Sequence, residues 1–71
     1  MVITAEQEAS FRDLCAANDV TDERCSCVLD KVATELTATE WEAALELALE
    51  DEGTLSDELL AQFEACVAEG N

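Results

Sequence analysis

The sequence has no histidine and no proline, only two glycines, and three basic residues against eighteen acids. Each scarcity excludes something. Without histidine the chain lacks the usual general base, the usual switch near neutral pH and the commonest metal ligand. The bases, Arg12, Arg24 and Lys31, all lie before residue 32, and residues 32–71 hold eleven acids and no base. A formal net charge of −15 repels phosphate, so DNA, RNA and anionic lipid are poor partners for this surface. The same charge attracts basic proteins or cations. The plainer reading is a solvated acidic surface, such as high salt favours.

Other patterns are missing too. No apolar run reaches the roughly 18 residues that a membrane span needs. No secretory leader is visible, because Met1-Val2-Ile3 runs straight into a helix-start pattern. An exported form is therefore expected to be a mature domain whose leader has been removed. There is no glycine-rich phosphate loop. No serine, lysine or tyrosine is placed to work with a carboxylate. Pairs such as Glu42 and Glu46 follow from the number of acids and read as the wet face of a helix. An enzyme is not expected, and no catalytic residue, cofactor or metal is assigned.

What is present favours helix. Leucine, alanine and glutamate dominate, and four helix starts can be read. Thr4-Ala5-Glu6-Gln7 and Thr37-Ala38-Thr39-Glu40 are capping boxes, the second flanked by a Leu36–Trp41 hydrophobic staple. Thr21 and Ser56 can each cap a helix whose first turn carries two acids, suited to the positive end of the dipole. The spacing predicts helices over about residues 5–17, 22–35, 38–51 and 57–68, with Gly53 as a C-terminal stop for the third. Links of two to five residues predict that successive helices fold back on one another. The fold expected is all-α, a compact four-helix single domain over 1–71. Its main core formers are Phe11, Leu14, Val28, Val32, Leu36, Trp41, Leu45, Leu49, Leu59, Leu60, Phe63 and Val67. Trp41 is expected in the core; were it exposed, it would mark a contact patch.

A chain of 71 residues buries little and generally needs a staple, and Cys15, Cys25, Cys27 and Cys66 can supply one. An even count in a small chain points to two structural disulfides. Residues two apart on a helix point about 200° apart, so Cys25 and Cys27 should serve different partners. Cys15 and Cys25 flank the turn near Asp19 at similar distances. This slightly favours Cys15–Cys25 with Cys27–Cys66. The alternative, Cys15–Cys27 with Cys25–Cys66, stays open because Cys25 shares a stripe with Val28 and Val32, and Cys66 shares one with Phe63. A four-thiolate metal site fits poorly, since paired C-x2-4-C knuckles are missing. A redox-active C-x-C would have Arg24 beside it but also Asp22, Glu23 and Asp30, which oppose a thiolate. The acidic stretch Glu50-Asp51-Glu52-Gly53 looks like part of a calcium loop, yet Ala48 and Leu59 fall where its first and last ligands belong.

Phe11-x-x-x-Cys15, then Cys25-Ser26-Cys27-Val28-Leu29-Asp30-Lys31-Val32, then Leu36-Thr37-x-x-Glu40-Trp41, then Leu55-Ser56-x-x-Leu59-Leu60-x-x-Phe63-x-x-Cys66 form one framework. It resembles that of small exported bacterial four-cysteine helical domains and lipoproteins of unassigned function. The likeness covers about residues 11–67. It implies export and disulfides, with a lipid anchor on a precursor as one form, and no activity. The reading expected is a noncatalytic binding or structural module of the bacterial cell envelope or secreted space. It would act through its acidic surface on a protein partner, as a monomer. The alternatives are an acidic decoy that mimics nucleic acid and occupies a basic protein, and a thiol redox or metal carrier using the C-x-C.

Overall fold

The computed structural model describes residues 1–51 and 54–69. Each helix begins at a hydroxyl cap. α1 spans Ala5–Ala17, α2 Asp22–Glu35, α3 Ala38–Glu50 and α4 Asp57–Ala68. The Thr4, Thr21, Thr37 and Ser56 side chains each accept the backbone N–H three residues on. That bond satisfies one of the donors a helix start leaves open. Both capping boxes are closed: Gln7 Oε1 accepts Thr4 N–H at 3.1 Å, and Glu40 Oε1 accepts Thr37 N–H at 2.8 Å. α3 closes on Asp51, whose N–H donates to the Leu47 carbonyl. Gly53, the expected stop, lies outside the described residues.

The α1–α2 turn is held by backbone bonds. Val20 N–H donates to Cys15 O at 2.8 Å and Asp19 N–H to Ala16 O at 3.4 Å. These are the two bonds of a Schellman C-cap. Asp19 takes the left-handed position with φ of 58°, where glycine is usual.

α2 packs most closely on α4 and next on α1, while α3 lies against α1 and α4. Consecutive α2 and α3 are not a principal pair, which corrects the expectation that successive helices all fold back on each other. Their link is only Leu36-Thr37. Both residues are extended, Leu36 at ψ 149° and Thr37 at ψ 163°, so no turn reverses the chain between the two helices. The link makes a corner instead, with Leu36 turned into the core.

Phe11 centres the aromatic core. Its ring meets Trp41 edge-on at 5.5 Å and Phe63 at 6.0 Å. Trp41 is 1% exposed, so it is a core residue and not the surface contact that exposure would have made it. Its indole N–H donates to Gln7 Oε1 at 3.0 Å. One amide oxygen thus completes the α1 cap and satisfies the buried indole of α3.

Three residues expected in the core are exposed: Leu49 at 51%, Leu60 at 43% and Val67 at 52%. Helical geometry gives the reason. The α4 stripe runs through Leu59 and Cys66, both at 0%, and Leu60 and Val67 each stand about 100° round from it. Leu49 stands about 80° from Trp41 on α3, at the edge of its stripe.

Gln7→Ala should destabilise the fold by about 2–3 kcal/mol, since it opens a cap and leaves a buried indole donor without a partner. Gln7→Glu should keep most of that stability, because its carboxylate can accept both bonds. Asp19→Gly should gain about 1 kcal/mol by relieving the left-handed position. Urea denaturation followed through Trp41 fluorescence measures all three.

Candidate functional site

The four cysteines form two disulfides, Cys15–Cys25 and Cys27–Cys66, with Cα atoms 6.2 and 6.1 Å apart. The alternative pairing is not formed. Cys25 and Cys27 leave α2 on nearly opposite sides, and the chain places α1 on one side and α4 on the other. Cys15, Cys25 and Cys66 are buried, and Cys27 is partly exposed. No cysteine is free in this state. The C-x-C is therefore not a dithiol pair here, and its sulfurs are engaged with two different helices.

The acids form a shell. Every acid among the described residues is exposed, and no charged side chain among them is buried. Glu42 and Glu46 lie on the wet face of α3, as read from the sequence. Arg12 and Lys31 are engaged by acids. Arg12 Nε donates to Glu8 at 2.9 Å, and its Nη2 reaches Ser26 at 3.2 Å. Lys31 pairs with Glu69. Such surface pairs are worth little individually, but they leave the acidic field largely unrelieved. Glu52 and Gly53 of the calcium-like stretch lie outside the described residues. Glu50 and Asp51 are exposed, and Leu59, where the bidentate ligand would belong, is fully buried.

The described surface includes an apolar concavity. An apolar cleft of about 260 Å³ opens where the C-terminal ends of α1 and α3 meet the segment before α4. Phe11, Leu14 and Cys15 of α1 form one wall and Phe63 of α4 another. Ala48 comes from the last turn of α3, and Asn18, Val20 and Leu55 from the links. Among the described lining residues, Asn18 supplies the only polar side chain besides the disulfide sulfur of Cys15. Its Nδ2 donates to Leu14 O at 2.8 Å, which leaves Oδ1 as an acceptor. Sequence reading missed the cleft because five separate segments build it. The available signal was Val20 and Leu55, apolar residues in links otherwise rich in acids and hydroxyls. Compared with family models, curated proteins and solved structures, the chain matches none.

Removing the two disulfides should have unequal effects. Cys27 and Cys66 are 39 residues apart, and Cys15 and Cys25 are 10 apart. Loop-closure entropy gives about 4 kcal/mol for the first and about 3 kcal/mol for the second. Either is a large share of the few kcal/mol available to a domain of this size. Denaturation of the Cys27→Ala/Cys66→Ala and Cys15→Ala/Cys25→Ala proteins should rank the long bridge as the more stabilising. The opposite order would mean that native packing, and not loop length, sets their contributions.

Proposed function

We propose that this chain is a noncatalytic binding or structural module of an oxidising, extracytoplasmic compartment. The bacterial cell envelope or secreted space is the setting that the cysteine framework favours, with a lipid anchor on a precursor as one form. The observation that carries this reading is the pair of disulfides, which together engage every cysteine. Disulfides of this kind persist where the surroundings are oxidising and are rare in reducing cytosol. The exposed acidic shell supports a basic or mixed protein surface as partner.

The acidic decoy is the second reading, and the eleven acids of residues 32–71 favour it, with no base among them. It calls for a cytosolic location near DNA-binding proteins, where the disulfides would be out of place. A thiol redox or metal carrier would need the sulfurs that both bridges engage.

Intact-mass analysis of protein isolated unreduced from its native host tests the reading. The mass should fall below that of the reduced chain by the four hydrogens that two disulfides remove. Recovery with four free thiols would overturn the extracytoplasmic assignment. Binding to a basic partner should weaken steeply with added salt.

A further inference from the structure

The apolar cleft and the charge around it select for the same kind of ligand. Among the described residues the lining offers no charge, Asn18 brings one amide to it, and the helix ends that meet there are carboxyl ends. Asp19 sits between the lining residues Asn18 and Val20, Asp13 precedes Leu14, and Asp51 caps the helix whose last turn supplies Ala48; all three acids are exposed. The carboxyl ends of α1 and α3 both lie here, and neither has a base in its last turn. Each such end carries about half a negative charge. Arg12, the base nearest in sequence, is drawn to Glu8 and across to Ser26 of α2.

Size narrows the ligand further. A cavity of about 150 Å³ accommodates benzene, whereas pockets for drug-sized ligands run about 300–1,000 Å³. A volume of about 260 Å³ suits one large aromatic or branched side chain. An acyl chain ending in a carboxylate would bring a negative head to a negative rim.

We infer that this cleft seats a single large apolar side chain of a basic peptide segment, with the flanking lysines or arginines of that segment on the acidic rim. This rests on the reading of the acidic shell as a protein-binding surface and places its anchor point. Asp19 is the rim residue to test, because asparagine tolerates the same left-handed backbone while removing the charge.

The experiment titrates the oxidised protein at low salt, by calorimetry and amide chemical shifts, with the peptides Lys-Lys-Phe-Lys-Lys, Lys-Lys-Ala-Lys-Lys and Glu-Glu-Phe-Glu-Glu, and with benzylammonium. The basic phenylalanine peptide should bind about tenfold or more tighter than its alanine counterpart, the factor one buried ring supplies. Its shifts should centre on Leu14, Val20, Leu55 and Phe63, and the acidic peptide should not bind. Asp19→Asn should weaken the basic phenylalanine peptide by about two- to fivefold. Val20→Phe, which narrows the mouth, should bring it down to the affinity of the alanine peptide. Equal binding of the two basic peptides would overturn the cleft assignment and leave the acidic-surface reading standing. Absence of any basic-peptide binding would overturn both. Benzylammonium matching the pentapeptide would overturn the peptide in favour of a small cationic amphiphile.

Discussion

Cysteines two residues apart on one helix cannot both face the same neighbour, and the fold is arranged around that constraint. Cys25 reaches α1 and Cys27 reaches α4, so α2 becomes the member to which the first and last helices are fixed. α3 carries no cysteine. It is held by packing, through Trp41 against Phe11 and through the hydrogen bond from Trp41 to Gln7. The covalent frame sets where α1 and α4 lie, and the aromatic core fills the space they share with α3.

The two kinds of tie divide the work by distance. The capping bonds are local and start each helix without help from the rest of the chain. The disulfides and aromatic contacts act between helices. Gln7 belongs to both sets, since its side-chain oxygen closes the α1 cap and meets an indole 34 residues away. A small core with few large residues gains from such double use, because each buried polar group needs a partner and few are available.

What could be read in the sequence was what depends on near neighbours. The four hydroxyl caps, the two boxes and the helix bounds follow from residues three or four apart. The splay of Cys25 and Cys27 also follows from helical geometry, and the preferred pairing is the one formed. Depth of burial was less legible. Leu49, Leu60 and Val67 are apolar and helical in spacing, yet they stand beside the buried stripes because only packing decides where each stripe is centred. The α2–α3 corner, the Trp41–Gln7 bond and the cleft all join distant segments, so no local pattern announces them.

The bridges also change what a broken backbone would mean. A single cut anywhere between Cys27 and Cys66 separates the chain in sequence but not in space, because the long disulfide still joins the two pieces. A cut in the α1–α2 turn is likewise spanned by Cys15–Cys25. Outside a cell, where proteases are common and repair is not, a nicked molecule of this design stays one molecule.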